Sequence, residues 1–153
     1  MSSDASLAAA VQAAASGDRS AAVNHYVQAG QAMSDTDPGG ATYAFLLASQ
    51  HADDDEMKDR LAEQAQQFSL AAGNYDKASE IALARASSAE SADDRLTAVR
   101  LYLACTVYAA TYLAEAAKSS LAANSIAAGI EAMDSTLERI NYCRGRLRDL
   151  TKA

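Results

Sequence analysis

The chain has 153 residues, half of them hydrophobic, with 13 Lys and Arg against 20 Asp and Glu and a formal charge of −7. That length suffices for one domain with its own core or for two small units sharing one, and the hydrophobic content excludes a disordered chain. The acidic balance disfavours nucleic acid as a partner and suits a soluble protein that meets a basic one.

Alanine accounts for 38 residues, with one proline and no tryptophan. Alanine is the best helix former and proline the worst, so composition alone predicts an all-α fold. Small side chains also let helix backbones approach closely. The two cysteines, Cys105 and Cys143, sit among apolar residues. They read as buried, reduced thiols of a cytoplasmic protein, with a disulfide as the open alternative. Met1-Ser2-Ser3-Asp4 carries neither a signal-like pattern nor a myristoylation motif. The longest uncharged apolar run, Leu101 to Ala114, is short for a bilayer span. A core helix is expected there, with membrane association at most indirect.

Helix signals recur along the chain. Asp4 is placed to cap a first helix to about Ser16. Gly17-Asp18 ends it and caps a second, Arg19 to Met33. The stretch Ser34 to Gly40, with Pro38-Gly39-Gly40, predicts a loop, and a third helix follows from Ala41 to His51. Asp53 with Glu56 resembles a capping box for a fourth helix to about Ala72. Gly73-Asn74 is another stop and cap. A fifth helix is expected from Tyr75 to about Ser87. Ser91 with Asp94 is placed to cap a sixth, and a weaker break near Lys118-Ser119-Ser120 precedes a seventh, 121–150. On that last helix Ile126, Ile130, Met133, Leu137, Ile140 and Leu147 step by fours and threes. Such a seam packs on its own domain or pairs with a second copy.

Gly17 and Gly73 are 56 residues apart, and at that offset Phe45 to Ser49 aligns with Leu101 to Cys105. A duplication would give two three-helix units, 4–51 and 54–117, plus the long last helix within a single domain of 1–153. The segments Gly17 to Ala29 and Gly73 to Ala82 resemble the helical hairpins of tetratricopeptide repeats and of MIT (microtubule interacting and trafficking) domains. The glycine stands at the turn, Ala22 or Ala78 five positions on, and Tyr26 or Ala82 nine on. The spacing of 56 is not the 34 of tandem tetratricopeptide repeats, and three helices per unit is nearer the MIT layout. The resemblance implies about seven antiparallel helices in a bundle or short right-handed array. It also implies a groove between helices that receives a peptide or helix, as MIT domains receive ESCRT-III-type partners.

Catalytic spacings are not found. His25 and His51 form no His-x-x-x-His pair, and no Gly-x-Ser-x-Gly or phosphate-binding glycine loop occurs. No cofactor, metal or enzymatic activity is therefore expected. The densest acidic cluster, His51 to Glu56, lacks EF-hand spacing and reads as helix-end electrostatics. Tyr102, Tyr108 and Tyr112 crowd the sixth helix, as core or as the lining of a groove or small-ligand pocket. Arg139, Arg144, Arg146 and Arg148 make 139–153 net +4 against −11 elsewhere. They either pair with the acidic body or offer a patch to an anion or partner. The expected function is a non-catalytic adaptor that binds a peptide or helix of another protein. Two alternatives stand: a bundle holding a small apolar ligand, and a homo-oligomer formed through 121–150.

Overall fold

A computed structural model describes residues 2–122 and 126–152. Among them are seven α-helices and no strands. They run α1 (Ser3–Ala15), α2 (Arg19–Met33), α3 (Pro38–His51), α4 (Asp55–Ala71), α5 (Tyr75–Ser91), α6 (Arg95–Ala122) and α7 (Ile126–Thr151). The all-α reading is thus what the chain adopts. The helices form two compact units, 1–74 with α1 to α4 and 75–153 with α5 to α7. This partition differs from 4–51, 54–117 and 121–150, because α4 belongs with α3. The Ser49 hydroxyl donates to the Lys58 carbonyl at 2.8 Å, and the Phe45 and Phe68 rings stack with centroids 5.4 Å apart.

Five of the helix starts follow from a short polar side chain. Ser2, Asp18, Asp37, Asp54 and Asp94 accept from the backbone N–H three residues on, in Ala5, Ala21, Gly40, Met57 and Thr97. A cap of this kind contributes about 1 kcal/mol. Four of these ends correct the sequence reading. Ser2 caps α1, and Asp4 lies in its first turn. Asp37 caps α3 three residues before the expected start, and Pro38 occupies its first turn, where a missing N–H costs nothing. Asp54, not Asp53, caps α4. Ser91 is the last residue of α5, and Asp94 carries the cap of α6.

Three helix ends share one geometry. Asp18, Asn74 and Asp94 donate backbone N–H bonds to the carbonyls five residues back, of Ala13, Ser69 and Ala89. This is the Schellman arrangement, which needs a left-handed residue just before the donor. Gly17 (φ 80°) and Gly73 (φ 69°) supply it, and Asp93 supplies it at φ 60°. A side chain in that conformation carries a steric cost. The expected break at Lys118-Ser119-Ser120 lies inside α6, which continues to Ala122.

The cores are built on small residues. In 1–74, Ala10, Ala22, Ala29, Ala41, Ala48 and Ala65 are wholly buried around Tyr26 and Phe45. α2 and α3 approach so closely that a Cβ on Gly30 would meet the Phe45 ring at 2.7 Å. In 75–153 the core gathers Ala82, Ala86, Ala98, Leu101, Tyr102, Cys105 and Cys143. α6 packs on both α5 and α7. Among the described side chains of α7 the buried positions are Gly129, Thr136 and Cys143, seven residues apart. Ile130 and Leu137, expected in the seam, are exposed, and Met133, Ile140 and Leu147 are half-buried. The seam is one position off because small residues face α6: a Cβ on Gly129 would meet the Ser120 hydroxyl at 2.5 Å. The side chain of Ile126 lies outside the described set.

Two substitutions test this packing with opposite signs. Gly30→Ala is expected to lower unfolding stability by about 1–3 kcal/mol, since Phe45 is buried and stacked and must shift. Asp93→Gly is expected to raise it by about 0.5–1 kcal/mol by relieving the left-handed residue. Urea unfolding of each variant reads both.

Candidate functional site

Most residues singled out in the sequence are occupied with holding the helices together. Arg19 donates to the carbonyls of Gln50, His51 and Ala52, closing the C-terminal end of α3, and pairs with Asp53 at 2.8 Å. Asp54 is the cap described above, Asp55 pairs with Lys58 at 2.9 Å, and His51 stacks on Tyr26 with ring centroids 5.7 Å apart. The acidic run of 51–56 is therefore helix-end chemistry. Among the described residues no group of three or more His, Cys, Asp or Glu is placed to hold a metal ion.

The four arginines of α7 divide into two pairs. Arg139 reaches α5, where it meets the Asp76 carboxylate at 2.7 Å, the Glu80 carboxylate at 3.5 Å and the Ser79 hydroxyl. Arg146 binds Glu90 of α5, and Asp149 at 3.2 Å. These two link α7 to α5 on either side of Cys143, whose sulfur lies 3.2 Å from that of Cys105. Arg144 and Arg148 are exposed. A four-arginine patch is thus reduced to two residues.

The tyrosines also separate. Tyr102 is wholly buried, its hydroxyl donating to Glu90 at 2.7 Å and its ring edge-on to Tyr142. Tyr108 packs against the core and Tyr112 is half-buried. Arg146, Glu90 and Tyr102 form one network. The Arg146 hydrogen bond, then that of Tyr102, holds the Glu90 carboxyl below its ordinary value of 4.5. Burial, then the bond to Glu90, pushes the Tyr102 phenol up to about 12.

The face of α6 turned away from its core residues carries a different pattern. Ala98, Leu101, Tyr102, Cys105 and Ala109 are buried. Leu96, Leu103, Val107 and Leu121, half a turn round the helix, are 51–76% exposed. With exposed Arg100, Ala110 and Ala114 they form a run of alternating four- and three-residue steps up to Ala114, with Leu121 seven residues on. That spacing is the one a coiled-coil seam uses. By length and composition α6 is also the one described helix able to cross a membrane, and most of its apolar window is not buried. The expectation of too short a span counted only Leu101 to Ala114; the helix extends over 28 residues. Sequence reading missed the outer stripe because α6 is apolar on nearly every side. Arg100 and Lys118, both exposed, mark the solvent side and are the local signal that identifies it.

The network has a pH signature at each end of the scale. Glu90 binds its proton less tightly folded than unfolded, so its contribution is full above pH 4.5 and is lost as pH falls through the lower folded value. In Arg146→Met the Glu90 carboxyl titration, followed by NMR, should move up toward 4.5. Tyr102 behaves in the opposite sense: its contribution is full below pH 10 and is lost as pH rises through about 12. Ultraviolet titration should show a late tyrosine transition near pH 12, absent in Tyr102→Phe.

No protein-family model and no curated protein matches the chain.

Proposed function

We propose that the chain is a non-catalytic adaptor that docks an amphipathic helix of another protein on the outer face of α6. The observation that carries this reading is the exposed stripe of Leu96, Leu103, Val107 and Leu121 in heptad register. Its centre is small, Ala110 and Ala114, so a partner backbone can approach closely there. Arg100 and Lys118 stand near its two ends, about 27 Å apart along the helix at 1.5 Å per residue. The occupant that suits this face repeats apolar residues at four-three spacing and carries carboxylates about that far apart. The likeness of Gly17 to Ala29 and Gly73 to Ala82 to adaptor hairpins supports the same class of function. The helix face replaces the interhelical groove as the docking element.

The small-ligand alternative is weakened by Tyr102, whose ring and hydroxyl are already engaged. Self-association through α7 draws on exposed Ile130 and Leu137.

The test places a photo-crosslinking residue at Leu103 or Val107, with Gln12 as the control site, in the native lysate. The crosslinked segment of the captured protein is then mapped and synthesised. The expected segment is an amphipathic helix of the stated pattern, with affinity reduced at least tenfold, about 1.4 kcal/mol, by Leu103→Asp with Val107→Asp. Three results overturn the reading: a crosslink to a second copy of this chain, a mapped segment without the pattern, and stripe-dependent flotation with phosphatidylcholine vesicles in place of any protein crosslink.

A further inference from the structure

Cys105 and Cys143 meet where α6 packs on α7, in the core they share with Leu101 and Tyr102. Both thiols are wholly buried and unbonded. Their sulfurs are 3.2 Å apart, with Cys143 Sγ donating to Cys105 Sγ. They lie midway along α6 and, on α7, between Arg139 and Arg146, the two residues that tie α7 to α5. The backbone around the pair is thus held from both sides. Closing to a bond of about 2 Å asks for movement of roughly 1 Å, within reach of side-chain rotation.

From this juxtaposition we propose that Cys105 and Cys143 are a redox-responsive pair, converted by peroxide into an intramolecular disulfide that staples α6 to α7. The chemistry proceeds in two steps. The Cys143 thiol loses its proton and its sulfur attacks one peroxide oxygen, breaking the O–O bond and leaving a sulfenic acid and hydroxide, which takes up the proton to form water. Cys105 sulfur then attacks the sulfenic sulfur, displacing a second water. Two thiols are oxidised, one peroxide is reduced, and two waters leave. Cys143 is the sulfur that attacks first: once it has lost its proton the Cys105 thiol turns to donate to the thiolate and holds Cys143 below its ordinary value, while the same contact and burial push Cys105 up. Burial makes the first step slow and dependent on local opening, while the partner sulfur makes the second fast.

The consequence is local to the second unit. The bond closes a loop of 38 residues (105 to 143), which constrains the unfolded chain and fixes α6 against α7. α6 is the helix that carries the outer stripe, but the inference does not rest on the docking reading.

The experiment treats the full chain with hydrogen peroxide, then maps it by mass spectrometry under non-reducing conditions. The expected product is monomeric, lighter by about 2 Da for two lost hydrogens, with a single peptide pair joined through Cys105 and Cys143. Its melting midpoint should rise on the order of 10 °C, reversed by dithiothreitol. Amide exchange should slow in α6 and α7 and stay unchanged in 3–71. Cys105→Ala and Cys143→Ala should each abolish the rise. Thiols that remain alkylatable after denaturation, oxygen adducts without crosslink, or a disulfide between two chains would each overturn the proposal. If one alanine variant fails to fold, the non-reducing map of the wild-type chain decides alone.

Discussion

Close helix approach through small side chains is the constraint on which everything else in this chain depends. Where α2 meets α3, Gly30 faces the Phe45 ring. Where α6 meets α7, Gly129 faces Ser120 and Cys143 faces Cys105. Alanine buries little area per residue, so such contacts rely on dispersion at short range. The few large side chains are concentrated accordingly, Tyr26, Phe45 and Leu61 in the first unit and Ile81, Leu101 and Tyr102 in the second. The cost is tolerance, since a methyl group added at these positions has nowhere to go.

The same constraint explains how α6 divides its two sides. Its inner face is taken up by Ala98, Tyr102, Cys105 and Ala109, flanked by α5 and α7. The arginine links from α7 to α5 hold the sandwich at its sides. Arg139 and Arg146 are engaged with Asp76, Glu80 and Glu90, so the basic C-terminal segment acts first as internal ties. What remains outward on α6 is apolar at heptad spacing, and that asymmetry underlies the proposed docking face.

Much of the fold was legible because its signals are local. Gly17-Asp18 needs only a left-handed residue and a capping carboxylate, both visible as residue types, and the α2 limits follow directly. Pro38 misled because proline usually ends helices, while behind Asp37 it begins one. Asp53 and Asp54 are indistinguishable by pattern; Arg19, 34 residues earlier, takes Asp53 and leaves Asp54 as the cap. The α7 register was read toward the largest residues, Ile130 and Leu137, but small-residue packing turns Thr136 and Cys143 inward instead. The Cys105–Cys143 contact spans 38 residues and has no local signal at all. The outer stripe of α6 was present in the sequence and concealed by apolar residues on the other side of the same helix.

The central claim is the two-sidedness of α6, and hydroxyl-radical footprinting of the isolated protein tests it most directly. Leu96, Leu103 and Leu121 should be modified readily, while Leu101 and Tyr102, on the same helix, stay protected. Equal protection of Leu103 and Leu101 would mean that the outer face is already covered by the protein itself, which contradicts an open docking surface.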